Sequence, residues 1–350
     1  MSFTLTPHRR RRLRSADSQT IRKLVDQEAY WSAEALRACL DRVKPICILD
    51  TEQGVAAGQA CIDLSKRVRD LPPDLDALAT STLGMAHRYA GALDEAIRLH
   101  SSALRVPGIS APTAAKIMAR RSVVHVLKSE ASEALKDINQ ASRLDPGNPD
   151  VESVEAWVCM RLGLYDRSLE INSNLMKSNW TDKWTVTCAA INTAAILRWE
   201  LLDCSPDLLE LLGRCIKNAL ASIPDSGSGF YAHIRSRALL TQAEALVIHR
   251  HGDNHRALNR SSLAAGYLRK QYPDDALFAA LDSAYFAALT DQPNIGFLEI
   301  AADSFEHSKF KDFIVEQAPR FLHRLVQSKQ SASIAQIIEL RALFQTQASV

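Results

Sequence analysis

The sequence predicts an all-α fold, a solenoid of antiparallel helix pairs about eight helical hairpins long. Three observations lead there. The chain repeats itself between Leu83 and Leu175. Leu83-Gly84, Gly91-Ala92-Leu93-Asp94-Glu95-Ala96 and Ala103-Leu104 return as Glu130-Ala131-Ser132-Glu133-Ala134, Ala141 and Leu144-Asp145-Pro146. They return again as Leu162-Gly163-Leu164-Tyr165-Asp166-Arg167-Ser168. A period of about 34 residues marks a helical hairpin that must stack on its neighbour to bury its apolar face. The composition agrees, because 47% apolar residues suffice for a continuous core. Only 13 glycines, 13 prolines and 6% aromatics favour helix over sheet. Finally, apolar residues recur at helical spacing outside the repeat as well.

Met1 to Ser15 reads as a disordered basic arm, rich in arginine and free of acids. Helical spacing begins after Asp17 and runs through Leu36, Cys39, Leu40 and Val43 until Pro45 interrupts it. Thr51 reads as the N-cap of a following helix that carries Val55, Ala56, Ala60, Ile62 and Leu64. Three clear units come next. The first spans 75–106 and stops at Pro107-Gly108, the second spans 111–144 and stops at Pro146-Gly147, and the third spans 149–177. Gly91 and Gly163 stand where a left-handed helix cap is expected. Residues 184–202 and 206–223 read as two more helices, and 223–229 as the best linker in the chain. The domains expected are an arm (1–15), an N-terminal array (16–223) and a C-terminal array with capping helices (230–350), unless the arrays form one continuous solenoid. Residues 310–325 and 334–344 read as the closing pair.

Small residues recur in pairs 12 positions apart: Gly84 and Ala96, Ser122 and Ala134, Ala156 and Ser168, Ala245 and Ala257. Together with Leu-Gly in the first helix and Asp-Pro at the end of the second unit, they resemble the tetratricopeptide repeat. The resemblance is specific over about 77–178 and loose elsewhere. The usual tyrosine of the first helix is replaced by His87, His125, Cys159 and Ile248. The usual aromatic of the second helix is replaced by His100, Ile138, Asn172 and Ser261. The resemblance implies a right-handed superhelix whose first helices line a concave groove for a protein or peptide. By it, the groove positions are Ser81, Met85, Arg88 and Tyr89, then Lys116, Ala119, Arg120, Val123 and Leu127, then Ser153, Trp157, Met160 and Arg161. Arginine, tryptophan and tyrosine are frequent binding hot spots, and guanidinium forks suit carboxylates. An acidic or C-terminal carboxylate ligand is therefore expected. A chaperone-tail clamp is not, because Ser81 and Met85 stand where its lysine and asparagine would be.

The arm residues Arg9, Arg10, Arg11, Arg12 and Arg14 are candidate phosphate contacts, since such a run adds salt-dependent attraction to nucleic acid. The net charge of +2 argues against a general polyanion binder. His249, His251 and His255 form the one metal-like cluster, yet lack a neighbouring cysteine and the spacing of a fixed tetrahedral set. No metal or cofactor is expected. No phosphate loop, nucleophile elbow or zinc-protease motif is present, so the chain is not read as an enzyme. Seven dispersed cysteines, no long apolar run and no secretory signal point to a cytoplasmic protein with free thiols. The function expected is a non-catalytic adaptor that binds a protein or peptide. The alternatives are a peptide-sensing regulator and a nucleic-acid-associated factor using the arginine arm.

Overall fold

The computed structural model of the 350-residue chain describes residues 6–178, 182–200, 205–223, 230–269, 272–290, 292 and 295–307. The predicted linker at 224–229 and the closing pair at 310–344 lie outside these residues. The chain divides into two compact units, 1–158 and 159–350. Unit 1 holds α1 (Pro7–Arg14), α2 (Ser18–Val25), a 3-10 turn at Glu28–Tyr30, α3 (Ala33–Leu49), α4 (Thr51–Ser65), α5 (Pro73–Tyr89), α6 (Leu93–Ala103), α7 (Ala111–Leu127) and α8 (Ala131–Leu144). The division falls within α9 (Pro149–Arg161). Unit 2 continues with α10 (Tyr165–Lys177), α11 (Lys183–Glu200), α12 (Pro206–Ser222), α13 (Phe230–Arg250), α14 (Asn254–Leu268), α15 (Pro273–Leu289) and α16 (Ile295–Glu306). No strand occurs among the described residues.

Local chemistry sets these boundaries. Side chains of Asp17, Ser32, Asp50, Ser110, Ser205 and Asp253 accept from a backbone N–H in the first turn of the helix they precede. Each satisfies a donor that the helix itself leaves unpaired. At the second helix start the cap is Asp50 rather than Thr51, which is the first helical residue. Proline opens α5, α7, α12 and α15, where its missing N–H costs nothing.

The turn between paired helices is the same each time. The N–H of Ala92 donates to His87 O (2.9 Å), Glu130 to His125 O (2.9 Å), Leu164 to Cys159 O (2.8 Å) and Asp253 to Ile248 O (3.3 Å). The residue before each donor is left-handed: Gly91 (φ 81°), Ser129 (φ 59°), Gly163 (φ 79°) and Gly252 (φ 88°). This six-to-one bond is the Schellman closure. Its acceptors are the four residues that replace the family's tyrosine, so the repeat is present in backbone geometry where its side chains have diverged.

The small-residue pairs hold the helices close. Ala96, Ser122, Ala134, Ala156, Ser168, Ala245 and Ala257 are all fully buried. A methyl added at Gly84 would lie 3.2 Å from Ala96 O, and one at Gly58 would lie 3.2 Å from Leu83 Cα. Three cysteines of the α3/α4 core, Cys39, Cys47 and Cys61, are buried free thiols. Burial pushes Cys39 and Cys47 up to about 12.

Two further expectations are corrected. The stretch read as a disordered arm folds over residues 7–14 into α1, whose Leu13 is 0% exposed. Thr6 caps it, and the Arg9 guanidinium donates to Ala29 O (3.4 Å) and stacks on Tyr30 (5.5 Å to the ring centre). Tertiary contacts thus order a segment whose local composition reads as solvated. Pro45 does not interrupt its helix, for α3 runs through it to Leu49. The lost backbone bond lies in the last turns, where buried Ile46 and Cys47 offset it.

Candidate functional site

In unit 1 the first helices of successive pairs, α3, α5 and α7, lie side by side. Arg120 of α7 reaches across to α5, where its Nη1 donates to Ser81 Oγ (3.1 Å) and Thr82 Oγ1 (3.3 Å). Ser81 Oγ also sits 3.1 Å from His100 Nδ1 of α6. Ser81 and His100 are both fully buried. The imidazole fits because Gly84 has no side chain, since a Cβ there would lie 3.1 Å from His100 Cε1. Burial, then the charges of Arg120, Arg88 and Arg121, hold His100 well below the usual histidine range, so it is neutral. One guanidinium is thus fixed by two hydroxyls, one of them braced by a buried ring. Ser81 and His100 have no solvent access for a substrate, which leaves this pair a structural brace.

Arg120 is half-buried. Burial, then the charge of Arg88, lowers it to about 10, still protonated at neutral pH. Arg88 lies seven residues after Ser81, on the same stripe of α5, and its guanidinium stacks on Tyr89 (4.6 Å to the ring centre). Neither Arg88 nor Arg120 has a carboxylate within ion-pair distance among the described residues. Lys116, one turn before Arg120, is exposed and meets Asp150 of α9 at 4.0 Å. Although the side chain reaches solvent, partial desolvation and then the Arg120 charge pull its ammonium down. Asp41 and Lys44 of α3 bear on the same ground with opposite charges.

A second polar network joins α6, α7 and α8. Arg121 grips Asp137 with two bonds (2.6 and 2.7 Å) and donates to Ser101 Oγ (2.9 Å). His125 Nδ1 lies 2.6 Å from Glu130, and Lys128 bridges Glu130 (2.8 Å) and Asp94 (2.7 Å). Every charge here has a partner, so this network acts as a clasp between helices.

Of the predicted groove residues, the structure brings Arg88, Tyr89, Lys116 and Arg120 to one face with accessible surface. Trp157 is half-buried on α9 within unit 1, and Arg161 is half-buried in unit 2. Met85 (7% exposed) and Met160 (3%) are corrected to interior residues; Met85 packs in the apolar core of α1 to α5. Ser81, Ala119 and Val123 are buried as well. Asp41, Lys44, Thr82, His100 and Asp150 were missed as site residues. The first two lie before the legible repeat, His100 was read only as a replacement for the repeat's second-helix aromatic, and Thr82 and Asp150 carried no pattern of their own.

The arginine run is partly accounted for. Arg9 is spent on Ala29 and Tyr30, and Arg12 is exposed. The side chains of Arg10, Arg11 and Arg14 lie outside the described residues. In unit 2, His249 Nδ1 is 2.7 Å from Asn254 Oδ1, and its ring packs on Tyr285 and Phe286. No group of three metal-ligating side chains occurs among the described residues, and no described helix is long and apolar enough to cross a membrane.

The chain superposes on the crystal structure of a Rap protein complexed with Competence and Sporulation Factor, with a TM-score of 0.55 and 11% identity. The match covers 95% of this chain and 99% of that one. The fold is tetratricopeptide-like. A tetratricopeptide repeat protein from Parabacteroides merdae ATCC 43184 also aligns, 15% identical over 88% of this chain and 99% of that one, with a TM-score of 0.44. No family model and no curated protein matches the sequence.

Proposed function

We propose that the face formed by the first helices of unit 1 binds a protein or peptide segment bearing acidic groups, and that the chain is a cytoplasmic, non-catalytic adaptor. One observation carries this reading. Arg88 and Arg120 are two guanidiniums on a shared face with no carboxylate at ion-pair distance among the described residues, whereas Arg121, next in sequence, is gripped by Asp137. A half-buried cation without a counter-charge is costly unless a ligand supplies one. Tyr89 and Trp157 add aromatic area of the kind that anchors interfaces. That a protein of this fold, Rap, is found complexed with Competence and Sporulation Factor is in keeping with a binding role.

The test is a random peptide library selected on the immobilised full chain. Selected peptides should be rich in Asp and Glu beside an apolar residue, and binding should weaken with salt. Arg120→Glu should reduce affinity and flatten its salt dependence. Trp157→Ala should weaken binding by about 2 kcal/mol per folded molecule, the weight of a central anchor, over and above any stability lost with its half-buried ring. Peptides without acidic bias, or binding indifferent to Arg120→Glu, would refute the proposal.

A further inference from the structure

The unused edge of Arg120, together with Arg88 and Lys116, is more specific than a generally basic surface. We infer that these three side chains form a seat for a phosphate dianion, as carried by a phosphorylated side chain of the bound segment. The inference rests on the proposal that this face is a binding surface, and it names the group that face recognises.

Charge is the first argument. Among the described residues neither guanidinium has a carboxylate at ion-pair distance, so two negative charges would balance the pair. A single carboxylate supplies one, whereas a phosphate monoester supplies about −1.5 to −2 at neutral pH. Asp150 and Asp41 bear on Arg120 from beyond ion-pair distance, and Lys44 opposes Asp41 at Lys116.

Geometry is the second. The donors come from two helices and different heights: Arg88 lies two turns beyond Ser81 on α5, and Lys116 lies one turn before Arg120 on α7. A planar carboxylate has two oxygens whose acceptor directions lie near one plane, and one guanidinium fork takes half of them. A tetrahedral phosphoryl group has three terminal oxygens and accepts from several directions at once. Lys116 can turn to it at little cost, because its contact with Asp150 is long (4.0 Å) and exposed on both sides.

Preorganisation is the third. Ser81 and Thr82 hold one Nη of Arg120, and neutral His100 braces Ser81. Nε and the other Nη are left for a ligand, and neither is among the buried unbonded atoms. A fixed fork loses little freedom on binding.

The experiment titrates the full chain with inorganic phosphate and, at matched ionic strength, with acetate. It follows phosphorus-31 linewidths and the melting temperature. Phosphate should bind saturably and raise the melting temperature, as any ligand of the folded state does, and acetate should not. Arg88→Gln and Lys116→Gln, each melting close to the parent chain, should each weaken phosphate binding about tenfold, the weight of one charge-assisted contact. A phosphoserine peptide that binds more tightly than free phosphate assigns the dianion to a bound segment, and equal binding assigns it to a free phosphate ester. Equal effects of phosphate and acetate, or unchanged affinity in both variants, would overturn the inference. If phosphate fails but unphosphorylated acidic peptides still bind through Arg120, only the dianion is lost. If neither binds, the proposed function falls with it.

Discussion

A single methyl group at Gly54 tests how closely the helices of this repeat approach. A Cβ there would lie 2.4 Å from Cys47 Sγ and 2.8 Å from Cys47 Cα. The second contact decides the outcome, because a backbone atom in the last turn of α3, held by that helix's hydrogen bonds and by the corner at Asp50, cannot turn aside as a side chain can. Cys47 is 1% exposed and packed in the α3/α4 core, so the crossing itself must open. Overpacking of this kind costs about 1–3 kcal/mol. Against it stands the gain of replacing glycine by alanine inside a helix, about 1 kcal/mol. The expected net loss is therefore up to about 2 kcal/mol, with no net stabilisation. Gly266 is the control. It lies in α14, and a Cβ there meets nothing within 4 Å. Gly266→Ala should keep the propensity gain and stabilise by about 0.5–1 kcal/mol. Gly84→Ala falls between, with contacts at 3.1 and 3.2 Å to His100 and Ala96 O. It should also weaken peptide binding, because it displaces the ring that braces Ser81 under Arg120. Urea denaturation followed by circular dichroism at constant slope measures all three. Equal stabilisation by Gly54→Ala and Gly266→Ala would show that α3 and α4 do not meet as closely as the structure places them, and the reasoning would fail.

The N-terminal helix gives a second expectation: Leu13→Ala should cost about 2–5 kcal/mol, and removal of residues 1–15 should lower the melting temperature, where a solvated arm would leave it unchanged. Ser129 holds a left-handed conformation that glycine holds at the equivalent turns, so Ser129→Gly should raise stability by up to about 1 kcal/mol in the same urea assay. His100 has its pKa held well below the unfolded value of about 6.5, so the unfolded chain binds the proton more readily. Its contribution to stability is present above that pH and is lost as pH falls, by up to about 1.4 kcal/mol per pH unit. His100→Phe should remove that share of the acid sensitivity, and an unchanged slope between pH 7 and pH 5 would refute a neutral buried His100.

The parts of this fold that were legible in the sequence are those fixed by short-range chemistry. Helix ends at Pro107-Gly108 and Pro146-Gly147, left-handed caps at Gly91 and Gly163, and small residues 12 positions apart each reflect a local constraint that few residue types meet. What stayed hidden depends on a partner far along the chain. The run from Arg9 to Arg12 reads as solvated because its own residues are charged, while Leu13 joins a core drawn from α2 to α5. The residues that order it are Ala29 and Tyr30, which bind Arg9, while Arg42 donates to Ala16 O at 3.2 Å just beyond α1. Ser129 carries a glycine's conformation without a glycine's signature. The face in unit 1 shows the same limit at finer scale. Ser81 and Arg88 share one stripe of α5, so periodicity alone gives them equal access to a partner. They differ because the side chain of Arg120 comes down on Ser81, and a serine is small enough to be covered by it. Exposure on a repeat surface is set by what the neighbouring repeat lays across it, and a small polar residue on a predicted groove stripe is where a long cation from the next hairpin can be anchored. That anchoring gives Ser81 its part in the proposed site. It makes no contact with a partner and instead fixes the direction in which Arg120 points.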